Sequence, residues 1–190
     1  MSKEDINLPK TSFSMKANLP NKEPEILKIW EQLNLYKKLR EAGKGKEKFV
    51  LHDGPPYANG HIHMGTALNK ILKDIITRFH QMHGKDSVYV PGWDCHGLPI
   101  ELNVEKKVGK VGHKVDASEF RDACRKYANS QIELQKKDFK RLGVFGDWEN
   151  RYASLDKSFE GEAINGFARI FHNGHVEKGF KPVHWCPECG

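Results

Sequence analysis

A short apolar run followed by a turn-rich loop and an amphipathic helix constrains the fold of this chain more than any other feature. Residues 49–52, Phe-Val-Leu-His, have the composition of a buried strand, and residues 53–60 are dense in Gly, Pro, Asp and Asn. A helix is predicted to begin near His63, because apolar residues recur at helical spacing from there to Phe79. A second short apolar run, 88–90, predicts another strand.

A strand, a helix and a second strand within about 45 residues form a βαβ unit, which predicts a parallel sheet with a right-handed crossover. Loops 53–60 and 91–97 each follow one of these strands. Because parallel sheets bind their ligands at the carboxyl ends of the strands, we expect both loops to open on the same crevice. The predicted fold class is α/β.

Outside this unit, the sequence predicts an extended polar arm over residues 1–22. One helix is expected from Glu23 until the glycine-rich run that begins at Gly43. A long helix is predicted from Ser118, a candidate N-cap, to Leu142, and a further helix over residues 157–172.

Composition excludes several classes of protein. The chain has 190 residues, 38% hydrophobic and 29% charged, and a formal net charge of +6, which permits a polyanionic partner without demonstrating one. No apolar run approaches the roughly 20 residues of a bilayer span, so no membrane association is expected. The N-terminal residues have no apolar signal region and the four cysteines do not suggest a disulfide framework, which favours a cytoplasmic protein.

The first loop can bind a nucleotide. The unpaired N–H groups and partial positive charge at a helix start attract phosphate, and Gly60 and Gly65 leave room for it. His63 and Thr66 lie one helical turn apart, where each can donate a hydrogen bond to a phosphoryl group. The alternative is a turn before an amphipathic helix with a surface histidine.

Other side chains have competing interpretations. Asp94 is either a ligand group or an Asx-turn or capping residue, and His96 is equally compatible with the site and with the surface. We expect Trp93 to pack in the interior, and Lys70 and Lys73 to be solvated helix residues rather than ligands.

Two strings, GPPYANGHIHMGTALNK and PGWDCHGLPIE, resemble signatures of the class I aminoacyl-tRNA synthetases, and of the isoleucyl branch in particular. The first is similar to the "HIGH" signature of that family, with Thr66 where a second histidine is usual. The resemblance continues through ELNVEKKVGK, QKKDFKRLGVFGDW and KPVHWC, and so covers nearly the whole chain.

The resemblance implies the first half of a Rossmann-like nucleotide-binding fold with a parallel sheet, preceded by an N-terminal arm and helix. Its implied boundaries are 1–46 for the arm and helix, 47–175 for the half-domain and 176–190 for the start of a connective and editing insertion. The implied reaction activates L-isoleucine with ATP and Mg²⁺ and transfers it to tRNA(Ile). Family members continue into a KMSKS loop and an anticodon-binding domain, so we expect this chain to be a fragment, inactive alone, of a protein that is monomeric at full length.

The resemblance also implies roles for individual residues. Gly54 and Pro55 would line the amino-acid side, Asp94 would bind the α-ammonium group and His96 would lie at the adenylate side. His63 and Thr66 would be the catalytic donors. The implied ATP-binding residues are Pro56, Tyr57, Ala58, Asn59, Gly60, His63, Gly65 and Thr66.

Cys186 and Cys189 have the C-x2-C spacing of half a zinc site. A structural zinc normally has four ligands, so we expect two thiols without metal.

Two other functions remain open. One is a small HxGH-superfamily nucleotidyltransferase, which would be complete at this length. The other is a nucleic-acid-binding module with a C-terminal zinc knuckle, which would have no need of the glycine-rich His63 loop.

Overall fold

The structure is a computed structural model that describes residues 11, 12 and 14–186. Within these residues it contains six α-helices and four short β-strands. In chain order they are α1 (Leu19–Gln32), α2 (Leu35–Gly43), β1 (Lys48–Val50), α3 (Met64–Met82), β2 (Asp86–Val88), β3 (Gly92–Trp93), α4 (Leu98–Val108), α5 (Ala117–Arg141), β4 (Tyr152–Ala153) and α6 (Lys157–His172). No helix in the described ranges is long and apolar enough to cross a membrane.

The chain forms two compact units. Unit 1 consists of the described residues up to Asp53, together with Gly60–Val90 and Glu133–Glu149. Unit 2 consists of Gly54–Asn59, Pro91–Ile132 and the described residues from Asn150 onward.

Unit 1 contains the predicted βαβ arrangement. Strands β1 and β2 pair in parallel, with Phe49 opposite Ser87 in the register, and α3 connects them. The parallel α/β prediction is therefore confirmed. Both strands are only three residues long and begin earlier than the apolar runs suggest, because pairing starts at the polar residues Lys48 and Asp86.

Helix α3 begins where the sequence predicts, directly after His63. Its apolar stripe, however, is exposed: Met64, Leu68, Ile71, Leu72, Ile75, Ile76 and Phe79 each have more than a third of their surface accessible. The buried residues of α3 are Lys70 and Thr77. The expectation that Lys70 is solvated is therefore wrong, because a buried carboxylate and a phenol satisfy its ammonium group.

The N-terminal part of unit 1 has two helices where the sequence predicts one. Helix α1 begins before the predicted start, with Pro20 in its first turn, and Pro24 lies inside it. The chain breaks at Asn34, which adopts a left-handed conformation with φ 49°. Asparagine tolerates this conformation better than most residues, so it is the local signal for the break.

Unit 2 is built around a second parallel pair, β3 and β4. Trp93 is 1% exposed, which confirms that it packs in the interior. A Cβ on Gly92 would lie 2.0 Å from the Tyr152 ring, so only glycine fits beside its paired residue. Helix α4 is absent from the sequence-based expectation, although Gly97, Pro99 and the buried Ile100 and Val104 mark it.

The two long helices agree with expectation except at one cap. Helix α6 spans the predicted residues 157–172. Helix α5 begins at Ala117, and the Asp116 carboxylate accepts the amide N–H groups of Ser118 and Glu119. The N-cap predicted for Ser118 therefore belongs to Asp116, whose side chain satisfies two donors at the helix start.

Candidate functional site

The His63 side chain closes the start of α3. His63 has an extended backbone and is the N-cap; its Nδ1 accepts the Thr66 amide N–H at 3.2 Å. The ring proton is therefore assigned to Nε2, which lies 3.0 Å from the Thr66 hydroxyl oxygen. The structure thus brings the two predicted catalytic residues together, with His63 exposed at a helix N-terminus. Gly65 packs against the same ring, because a Cβ there would lie 3.0 Å from it.

The residues just before His63 are held by helix α5. The buried Gln135 donates from Nε2 to the Gly60 carbonyl at 2.9 Å. Asp138 Oδ2 lies 3.0 Å from His61 Nδ1 and accepts the Ile62 amide. Gly60 has φ +79°, a conformation that favours glycine. None of the three α5 contacts is apparent from sequence spacing, since the partners are about 75 residues apart.

A buried charge cluster lies at the other end of the same loop. Asp53 is 1% exposed and accepts from Lys70 through Oδ2 and from Lys73 through Oδ1, the latter at 2.6 Å. Lys70 also donates to the Tyr89 hydroxyl at 2.5 Å and lies over the Phe139 ring. These lysines, expected to be solvated, are structural partners of the loop. A buried charge is stable only when it is paired in this way.

Burial shifts the pKa of both charged partners. It lowers the pKa of Lys70 to about 8, although Asp53 opposes the change. Burial acts to raise the pKa of Asp53, but attraction and hydrogen bonds from Lys70 and Lys73 outweigh it and leave the pKa below its ordinary value of 3.8. Asp53 is therefore ionised at neutral pH.

In unit 2 the first loop pairs with the second. The Ala58 amide donates to the Asp94 carbonyl at 2.8 Å, and the Asp94 amide donates to the Pro56 carbonyl at 2.9 Å. Tyr57 and Asp94 form a parallel bridge. The two loops are therefore in direct backbone contact at these residues, while the expectation that both open on one crevice stays a prediction. Ala58 is fully buried, whereas Gly54 and Pro55 are exposed.

The side chains of Tyr57 and Asn59 hold this loop to the helices of unit 2. The Tyr57 hydroxyl donates to the Gly97 carbonyl and accepts the Ile100 amide, each at 3.3 Å. Burial raises the pKa of Tyr57. Asn59 Oδ1 accepts from the Tyr127 hydroxyl at 2.6 Å and from Asn103 at 3.1 Å.

Asp94 and His96 share one neighbour, Ser154. Asp94 is exposed and accepts from the Ser154 hydroxyl at 3.4 Å. His96 Nε2 lies 3.0 Å from the Ser154 carbonyl and 3.6 Å from Glu160, which is also bound by Arg125. The sequence gives no signal for Ser154, since it contacts the loop from beyond α5.

The predicted crevice shared by His63 and Asp94 stays a prediction, because His63 belongs to unit 1 and Asp94 to unit 2. The zinc half-site is also untested. Cys186 is exposed, and Cys189 lies outside the described residues. Over residues 11, 12 and 14–186 no group of three or more His, Cys, Asp or Glu side chains is placed to hold a metal ion.

The parallel βαβ unit, whose loop leads to a helix capped by His63, places the chain in the α/β class. The family model for class I tRNA synthetases (I, L, M and V) matches residues 25–190, and the chain belongs to this family. A Francisella philomiragia isoleucine--tRNA ligase is 62% identical over 188 residues. The isoleucine--tRNA ligase of Francisella tularensis subsp. novicida is 61% identical over the same length.

Each alignment covers 99% of this chain but 20% of the relative, so the chain spans about a fifth of the length of these ligases. A solved Agrobacterium radiobacter LeuRS–tRNA–LeuAMS complex matches with a TM-score of 0.62 and 21% identity. That match covers 84% of this chain and 18% of the LeuRS chain, and it supports the first half of a Rossmann-like fold. Family membership decides against the small nucleotidyltransferase and the zinc-knuckle module.

Proposed function

We propose that this chain is the ATP- and isoleucine-binding first part of an isoleucine--tRNA ligase. The observation that carries the proposal is the helix start at His63, where the histidine ring bonds the amide and the hydroxyl of Thr66 in the first turn of α3. The identity of 62% to an isoleucine--tRNA ligase supports the choice of amino acid.

In the proposed reaction the carboxylate oxygen of isoleucine attacks the α-phosphorus of ATP, and Mg²⁺-pyrophosphate leaves. The helix N-terminus at His63 and the Thr66 hydroxyl stabilise the charge that develops on the α-phosphate. The exposed Asp94 carboxylate binds the α-ammonium group and orients the attacking carboxylate. No protein nucleophile takes part.

The aminoacyl group then passes to a terminal ribose hydroxyl of tRNA(Ile). Residues outside this chain would bind tRNA, carry out editing and form the KMSKS loop. The full-length protein would be monomeric and located in the cytoplasm. Residues 56–59, Gly60 and Gly65 would surround ATP, Gly54 and Pro55 would line the amino-acid side, and His96 would lie at the adenylate side.

Isoleucine-dependent ATP–pyrophosphate exchange tests the proposal directly. In the product of the complete reading frame, His63→Ala should lower kcat about 10²- to 10³-fold, because the ring that orients the Thr66 hydroxyl donor is lost. Asp94→Asn should mainly raise KM for isoleucine. His113→Ala, in an exposed turn of unit 2, is the matched control and should leave both constants unchanged. Wild-type protein whose kcat/KM for valine- or leucine-dependent exchange equals that for isoleucine would contradict the proposal. Unchanged kcat in His63→Ala would also contradict it.

A second measurement concerns the 190-residue chain alone. We expect little or no exchange from it, since the KMSKS lysines that would stabilise leaving pyrophosphate lie elsewhere. Brisk exchange by the purified chain would show that these residues contain a complete adenylation site.

A further inference from the structure

The loop that the proposed function places around ATP has two fixed ends. The chain leaves unit 1 at Asp53 and returns to it at Gly60. Each of these two positions is held by a buried polar side chain of unit 1: Asp53 by Lys70, and Gly60 by Gln135. The segment between them, 54–59, carries half of the residues that the family resemblance assigns to the nucleotide and amino-acid site.

The first end of the loop, Asp53, is held by buried ion pairs, and burying these charges costs too much free energy to be explained by fold stability alone. Two ammonium groups bind one buried carboxylate, and a third polar group, the Tyr89 hydroxyl, accepts from Lys70. Well-packed apolar residues in place of a buried ion pair commonly leave a protein equally or more stable. Here the pair instead fixes the position of Asp53, which follows β1, relative to the second and third turns of α3.

The second end of the loop, Gly60, is also held by a buried polar side chain. Gln135 is 3% exposed and its amide donates to the Gly60 carbonyl at 2.9 Å. Gly60 has the positive φ that ends the loop three residues before His63. Loss of this donor would remove a hydrogen bond at the turn that leads into the helix N-terminus.

We infer that the Asp53–Lys70 pair and Gln135 are positioning residues for adenylate formation, because they hold the two ends of the loop between them. This inference rests on the proposed function. None of the three side chains touches substrate in the proposal; they act through the loop. A displacement of about 1 Å at a reacting group can lower kcat about 10²-fold, so loop placement is sufficient to affect rate.

Four variants of the complete protein test the inference: Asp53→Asn, Lys70→Met, the double variant and Gln135→Met. The control is Asp74→Asn, also on α3, where Asp74 binds Arg78 and the Phe145 amide and so holds a different turn. Three quantities are measured: the thermal midpoint, the kcat of ATP–pyrophosphate exchange, and deuterium uptake of a peptide covering residues 54–62.

The single variants at Asp53, Lys70 and Gln135 should lower kcat about 10- to 100-fold. They should also speed deuterium uptake over 54–62 about tenfold, because local opening becomes easier. Asp74→Asn should lower the thermal midpoint without either change. The double variant removes both buried charges of the Asp53–Lys70 pair, and only Lys73 loses an ionic partner. The midpoint should therefore recover towards wild type while kcat stays low.

Recovery of kcat together with the midpoint in the double variant would show that the pair only stabilises the fold, and would overturn the inference. Unchanged deuterium uptake in the single variants would also overturn it, as would faster uptake with unchanged kcat. Absence of isoleucine-dependent exchange in the wild type would instead refute the proposed function. The uptake comparison would then still decide whether these residues hold the loop.

Discussion

The hydroxyl of Tyr127 donates to Asn59 Oδ1 at 2.6 Å, joining the middle of α5 to the end of the first loop within unit 2. Asn103 donates to the same oxygen from α4. Asn59 therefore links two helices through one carbonyl group.

This shared acceptor predicts a non-additive effect on stability. Tyr127→Phe or Asn103→Ala alone should each cost about 0.5–1.5 kcal/mol, because Asn59 keeps one donor. The double variant should cost more than the sum, since the carbonyl then has neither. Urea denaturation measures all three values. Strict additivity would show that the two bonds are independent.

The Asp53 cluster predicts acid sensitivity. The folded-state pKa of Asp53 lies below its ordinary value of 3.8, so the folded protein binds fewer protons than the unfolded chain in this range. The contribution of Asp53 is fully present above that value and is lost as the pH falls towards the folded-state pKa. Asp53→Asn should therefore flatten the fall of the unfolding free energy below about pH 4. If Asp53→Asn lost stability in acid as steeply as the wild type, the acid sensitivity would come from other carboxylates.

The phenol of Tyr36 predicts the opposite dependence at alkaline pH. Burial raises its pKa to about 12 from 10.0. The folded protein then keeps a proton that the unfolded chain loses, so this stabilisation is present below pH 10 and declines as the pH rises towards 12. The phenolate absorbance should show a tyrosine that titrates near pH 12 and that is absent in Tyr36→Phe. Titration of that tyrosine near pH 10 would contradict the burial.

The close approach at Gly92 predicts a severe effect of one methyl group. Gly92→Ala should destabilise unit 2 by about 2 kcal/mol or more, because the ring of Tyr152 occupies the space of the new Cβ. Gly161→Ala in α6 is the matched control; nothing lies within 4 Å of that position, and the change should stabilise the helix by about 0.5–1 kcal/mol. Addition of Tyr152→Leu to Gly92→Ala should restore part of the loss. Equal stability of the two alanine variants would disprove the steric explanation.

The exposed apolar face of α3 predicts self-association of the purified chain. Leu68 and Ile75 have more than half of their surface accessible, and contiguous apolar patches favour aggregation or dye binding. Leu68→Glu with Ile75→Lys should lower ANS fluorescence and raise solubility without loss of helical circular dichroism. Lys70→Glu, on the buried face, is the contrasting variant and should lower helicity.

Sequence patterns predicted the elements whose signals are local. The βαβ unit, the helix start at His63 and the bounds of α6 each depend on residues that adjoin in the chain, and the structure agrees with them. Helix α4 also has local signals, in Gly97 and Pro99, although no helix is predicted there.

The contacts of the candidate site could not be predicted, because they join residues far apart in sequence. Ser154 reaches Asp94 across 60 residues, and Gln135 reaches Gly60 across 75. The burial of Lys70 could not be predicted either, because a lysine is normally exposed. Its partners Asp53 and Tyr89, which are close only in the folded structure, explain the burial. The roles of His63, Thr66 and Asp94 themselves stay predictions from resemblance.

The burial of Lys70 makes one amine of this lysine-rich chain an internal reporter. Acylating reagents modify amines that solvent can reach, and Lys70 is 1% exposed. Mass spectrometry after brief acylation should therefore find the peptide around Lys70 unlabelled while exposed lysines such as Lys110 are labelled. Appearance of the label at Lys70 would mark the opening of unit 1, so a single chemical footprint can follow its unfolding without any dye or mutation.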